Sequence, residues 1–129
     1  MESRVKQAEE RHNKGYNCAQ SVACTYCDLV GIDEKTMFKL TEGLGAGLGA
    51  KHGTCGAVTG ATIVLSMLNS TGNIEVPNSK QDTYKVVGEF TTKFLEDTGS
   101  LACNEIKEKP LKSCADCIVD ACLLLEKLL

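Results

Sequence analysis

Residues 55–69 read Cys-Gly-Ala-Val-Thr-Gly-Ala-Thr-Ile-Val-Leu-Ser-Met-Leu-Asn. The run carries no charge and is too long and too apolar for a surface strand, so it predicts a central helix. Thr54 is placed to act as its N-cap. Ahead of it, glycines at 43, 45, 47, 49 and 53 interrupt any regular element and predict a flexible or tightly turned loop. Into that loop runs a short helix that starts with Asp33 as N-cap and carries Met37, Phe38 and Leu40. Further upstream, Cys18, Val22, Tyr26 and Leu29 recur at helical spacing over 17–29, with Gly31 as the stop.

Downstream of the central helix, Ser79 with Asp82 three residues on resembles a capping box for a helix reaching Thr98 and closed by Gly99. Its apolar stripe is Val87, Phe90, Phe94 and Leu95. Ser100 is a candidate cap for a short turn bearing Cys103, and Pro110 breaks the chain. Ser113 opens a last helix with Cys114, Cys117, Ile118, Ala121, Cys122, Leu125 and Leu128. The predicted fold class is all-α. Residues 1–129 form one domain, an antiparallel helical bundle of about five helices with the Gly-rich loop before the central one.

With 17 acidic against 14 basic side chains and no basic run, the chain lacks the electrostatic footprint that attracts phosphates, and no nucleic-acid partner is expected. No apolar stretch approaches the roughly 20 residues that span a bilayer, and the first residues are charged throughout. No membrane insertion and a cytoplasmic location are expected.

Eight cysteines are more than packing requires. An even count suits a disulfide framework, but such frameworks belong to small secreted domains, whereas this chain has enough residues for a core and no export signal. Thiol chemistry or metal ligation is the better reading. At 1.5 Å per residue, Cys18 and Cys27 lie on the order of 13 Å apart along one helix and point to opposite sides. Cys18 is expected on the core side with Val22 and Leu29, and Cys24 and Cys27 on the polar side with Gln20, Ser21 and Asp28. Cys114 and Cys117 are neighbours at i, i+3, while Cys122 is about 12 Å from Cys114 along the axis and reads as core.

Cys55 has the most informative setting. As the first helical residue after Thr54 it faces the positive end of the helix dipole and unpaired N–H groups, which favour the thiolate. The thiolate attacks disulfides and binds metals. Gly56 and Gly60 share one face and permit close approach of another helix or a cofactor. His52 beside this turn is a candidate ligand or proton donor, and His12 carries no signal. Gly45-Ala46-Gly47-Leu48-Gly49 is no dinucleotide fingerprint, because no strand precedes it, and Lys51-His52-Gly53-Thr54 has the wrong order for a phosphate loop. The pairs Cys24-Thr-Tyr-Cys27 and Cys114-Ala-Asp-Cys117 have zinc-site spacing, yet they sit in helical patterns rather than in tight turns.

Asn17-Cys18-Ala19-Gln20, Gly53-Thr54-Cys55-Gly56-Ala57-Val58-Thr59-Gly60, Cys103 and Cys114 together resemble the C_GCAxxG_C_C family of redox-active proteins, defined by four cysteines around a CGAxxG motif. The resemblance covers nearly the whole chain. It implies a shared site of Cys18, Cys55, Cys103 and Cys114. The family is similar to a domain of split-Soret cytochromes, helical dimers that carry an iron–sulfur centre besides haem. Haem is not implied here, since no Cys-x-x-Cys-His attachment sequence is present. Cys24, Cys27, Cys117 and Cys122 are additions to the four-cysteine pattern. Position favours Cys114 over Cys117 as the fourth site cysteine.

Three functions follow as expectations. The first is a cysteine-ligated iron–sulfur cluster of the 2Fe-2S type, held by Cys18, Cys55, Cys103 and Cys114, for electron transfer or redox sensing with a redox partner protein. The second is a thiol–disulfide oxidoreductase, in which Cys55 attacks a partner disulfide and Cys103 or Cys18 resolves it. The third is a binding protein for zinc or another thiophilic ion. A homodimer is expected as well, joined through the last helix, where Val119 and Leu123 lie opposite the core stripe, or through the Cys24 and Cys27 face.

Overall fold

The computed structural model describes residues 1–109 and 111–129; the chain break expected at Pro110 lies outside them. Seven helices pack together: α1 (Val5–Lys14), α2 (Cys18–Thr25), α3 (Glu34–Thr41), α4 (Gly56–Asn69), α5 (Lys80–Thr98), α6 (Cys103–Glu108) and α7 (Cys114–Leu128). Among the described residues there is no strand, only an isolated bridge between Thr54 and Ala102. The fold class is all-α, as the periodicity predicts, with two more helices than expected. One of these is α1, whose charged sequence buries only Ala8 and so carries almost no apolar signal. The other is α6, whose two turns are too short to show a period.

The centre of the bundle is α4, which packs against α2, α5 and α7. The α2–α4 pair is the most extensive, and glycine makes it so. A Cβ at Gly60 would stand 2.5 Å from the Ala19 carbonyl oxygen, and one at Gly56 would stand 3.1 Å from the Ala19 nitrogen. The two glycines on one face of α4 therefore receive the backbone of α2. Around this contact Tyr26, Met37, Leu65, Phe90, Phe94, Ile106, Ile118 and Leu125 are fully enclosed, each adding about 1.5–3 kcal/mol of apolar burial.

Several boundaries shift from those predicted. The helix expected over 17–29 stops at Thr25, because Tyr26 leaves helical geometry at φ −116°, ψ 10°, and a separate 3-10 turn, Cys27–Val30, follows. That break rotates the remainder. Leu29 becomes exposed and Cys27 buried; Cys24, expected on a polar side with Gln20 and Ser21, precedes the break and is buried with them because α2 is enclosed by its neighbours nearly all round. Asp33 caps α3 and Ser113 caps α7 through their side chains. Ser79 precedes α5 without capping it; its hydroxyl accepts from the Thr71 N–H instead, at 3.1 Å. Along α5, Phe90 and Phe94 face the core and Leu95 is exposed.

Between α3 and α4 the Gly-rich segment is tightly turned. A 3-10 turn (Glu42–Leu44) leads into a single turn, Gly45–Leu48, in which Ala46 and Gly47 take left-handed angles. Leu48 and Lys51 are left-handed too, at φ 62° and 65°, and each such non-glycine residue costs on the order of 1–2 kcal/mol. Backbone hydrogen bonds hold the segment: Lys51 N–H to Ala46 O at 2.7 Å, Gly53 N–H to Gly47 O at 2.9 Å and Cys103 N–H to Gly53 O at 3.0 Å. The loop is thereby pinned to the start of α6.

Candidate functional site

The four cysteines of the sequence motif all stand where a helix begins. Cys18 is the first residue of α2, Cys55 is the N-cap of α4, Cys103 is the first residue of α6 and Cys114 is the first residue of α7. All four line one cavity of about 260 Å³, with Cys117, His12, Lys51 and Lys107 also in its wall. Thr54, expected as the cap of α4, instead pairs with Ala102, so Cys55 sits one position earlier than predicted. It still faces the open N–H groups of the helix.

Local sequence explains each placement. Asn17 and Gln20 form a reciprocal capping box: Asn17 Oδ1 accepts from the Gln20 N–H at 2.9 Å, and Gln20 Oε1 accepts from the Asn17 N–H at 3.0 Å. The Asn17 amide also donates to Glu42 O at 2.9 Å and that of Gln20 to Phe38 O at 3.0 Å. The box thus fixes the start of α2, and with it Cys18, against α3 and the Gly-rich loop. A Cβ on Gly56 would approach Cys18 Cβ to 3.2 Å, so the glycine contact that seats α2 on α4 also brings Cys18 beside Cys55. Gly47, at φ +60°, leaves no room for a Cβ, which would stand 2.5 Å from Cys103 Cβ. The Cys55 N–H donates to Leu101 O at 2.7 Å, tying Cys55 to the strand-like approach of α6.

Electrostatically the thiols are unequal. The Cys117 thiol hydrogen-bonds the Cys55 sulfur, and the N–H groups of Ala57 and Val58 with the Lys107 charge add to it. Together they outweigh burial and bring Cys55 down from its ordinary 9.0 to about 7. Cys18 is pushed up by burial and by the charges of Cys114 and Cys55. Burial and the Cys55 charge also raise Cys103. Cys117 rises because it donates to Cys55 and is buried. Lys107 places its ammonium on the Cys114 sulfur; burial opposes its charge, but the hydrogen bond and charge of Cys114 hold it protonated above its ordinary value.

The structure brings Cys18, Cys55, Cys103 and Cys114 to one cavity, places Cys117, the alternative to Cys114, in the same wall, and adds Lys107, Lys51 and His12, which the sequence does not foretell. Helical spacing holds a signal for two of these. Cys117 is three residues from Cys114 and Lys107 four from Cys103, so each shares a face with a site cysteine. His12 arrives from α1, a distant element with no such link. His52 is exposed and outside the cavity wall. Cys122 is buried core. Cys24 and Cys27 lie elsewhere. Among the described residues no three His, Cys, Asp or Glu side chains are drawn together around a single metal-ion position; the thiols line the cavity wall instead.

A helical bundle that gathers cysteines at its helix starts is a scaffold for thiol-based redox chemistry. The family described as "Putative redox-active protein (C_GCAxxG_C_C)" matches residues 16–128, and the chain belongs to that family. No curated protein and no solved structure matches it.

Proposed function

We propose that this redox-active cysteine protein holds an iron–sulfur cluster of the 2Fe-2S type on Cys18, Cys55, Cys103 and Cys114, and that it serves as an electron carrier or redox sensor. The observation that carries the reading is the shared cavity of about 260 Å³, walled by cysteines at four separate helix starts. A thiol–disulfide couple needs two sulfurs in contact and no enclosed space. A single zinc ion needs four ligands about 2.0–2.3 Å from one point, whereas thiols spread round a cavity suit a body that takes its ligands on the outside. Four thiolates are the usual ligand set of such a cluster, which when bound supplies one-electron transfer.

The chain's own residues fit that role. Burial, with the charges of Cys114 and Cys55, pushes Cys18 up, and positive charge in the cavity opposes that penalty. The starts of α2, α4 and α7 direct their positive dipole ends toward the same sulfurs. Lys107 adds a full charge at Cys114. Cys117, a turn inside α7, donates to Cys55 and acts behind the ligands rather than as one of them.

A second reading has one observation in its favour. With Cys55 near 7 and Cys117 hydrogen-bonded to it, Cys55 can attack a partner disulfide and Cys117 can resolve the mixed disulfide. Visible absorption of anaerobically purified protein, with iron, sulfide and zinc assays, separates the readings. Brown protein with equal iron and sulfide is the expected result. Colourless, metal-free protein with a reversible disulfide favours the second reading, and stoichiometric zinc rejects both.

A further inference from the structure

We propose that Cys24 and Cys27 are a second, independent redox site, a dithiol that a low-molecular-weight disulfide converts into an intramolecular Cys24–Cys27 disulfide. Both thiols line a separate cavity of about 640 Å³ with Arg4, Arg11, Asp28 and Glu34. It shares no wall residue with the four-cysteine cavity. Its walls are ionic: Arg4 pairs with Asp28 at 2.6 Å and Arg11 with Glu34 at 3.1 Å. Exposed residues Met1, Glu2 and Ser3 also border it, so the cavity opens to solvent on that side.

The backbone suits ring closure. Cys24 lies in the last turn of α2 and Cys27 opens the 3-10 turn three residues on, and a disulfide between them needs Cβ atoms about 3.8 Å apart. Between them Tyr26 has already left helical angles, so the two thiols are not held to the spacing of one continuous helix. Cys27 is 7% exposed and Cys24 is 1% exposed, which makes Cys27 the attacking sulfur. Burial first, then the charge of Glu34, raises both thiols, and the Arg11 cation opposes this at each.

With oxidised glutathione as the oxidant, the Cys27 thiolate attacks one sulfur of the disulfide, forms a Cys27–glutathione bond and expels one glutathione thiolate. Cys24, losing its proton to solvent, then attacks the Cys27 sulfur and expels the second. Two protein thiols are oxidised by two electrons, one disulfide is reduced to two thiols, and the two protons end on glutathione.

The test is to incubate the anaerobic full-length protein with oxidised glutathione, block free thiols with N-ethylmaleimide and map the peptides by mass. The expected result is a Cys24–Cys27 disulfide, with Cys24→Ser trapping one glutathione on Cys27 and Cys27→Ser trapping none on Cys24. Alkylation of Cys24 and Cys27 in the wild-type protein as though no oxidant were present, or a disulfide from either one to Cys18, overturns the proposal. The wild-type map decides even if a variant misfolds, and it does so whatever the four-cysteine cavity holds.

Discussion

A thiol set in an apolar wall is ordinarily neutral; Cys18 and Cys103 follow that rule, and Cys55 does not. In cofactor-free protein we expect Cys55 to react with iodoacetamide along a pH profile centred near 7 and to outpace Cys122, which burial pushes up to about 12. Cys117→Ala removes the largest of the interactions that lower Cys55 and is expected to move the profile back toward 9; an unmoved profile assigns the activation to the helix start alone. The same shift has a signature in stability. A depressed acid stabilises the fold fully above its unfolded value near 9 and loses that contribution as pH falls through about 7. Between pH 7 and 9 the urea midpoint of cofactor-free wild-type protein is therefore expected to rise relative to that of Cys55→Ser, since the opposite contribution of the raised thiols, Cys18 and Cys103 among them, is common to both. Cys55 was legible because a run of apolar residues announces its helix. The Cys117 contact was half legible, visible as an i, i+3 neighbour of Cys114, but only tertiary packing aims it at Cys55.

At the scale of elements, caps and close-packed glycines place the sulfurs. Asn17→Ala opens the capping box of α2 and leaves Glu42 O without its donor; a loss of about 1 kcal/mol in urea unfolding is expected. Gly60→Ala drives a methyl into the Ala19 carbonyl and is expected to cost about 1–3 kcal/mol, lifting α2 and carrying Cys18 away from Cys55. A Gly60→Ala protein as stable as wild type would show that the α2–α4 seat has slack. The long apolar or well-capped helices α3, α4, α5 and α7 could be read from periodicity. What the sequence concealed was the end of α2: the pattern Cys18, Val22, Tyr26, Leu29 continues through a break that only the angles of Tyr26 reveal. That boundary reverses the reading of Cys27 and Leu29, whereas Cys24 is buried because α2 has no solvent face from Ala19 to Thr25.

For the whole molecule, no helix of the described residues is long and apolar enough to cross a membrane, and the apolar surface bears instead on assembly. Along α7, Leu123 is 45% exposed while Ile118, Ala121, Leu124 and Leu125 are enclosed within the subunit. We propose that a second copy covers the outer face of α7, and light scattering under reducing conditions is expected to give a dimer mass at micromolar concentration; a monomer mass removes the proposal. Cys24 and Cys27, expected as an alternative contact face, are buried within the chain and leave α7 as the surface to test. The central claim is that the starts of α2, α4, α6 and α7 meet to hold a cluster. The most direct measurement is iron and acid-labile sulfide per chain in anaerobically reconstituted wild-type, Cys55→Ser and Cys122→Ser proteins. About two of each in the wild type and in Cys122→Ser, with neither retained in Cys55→Ser, is the predicted result. Iron-free wild-type protein, or equal loading of Cys55→Ser, would contradict it.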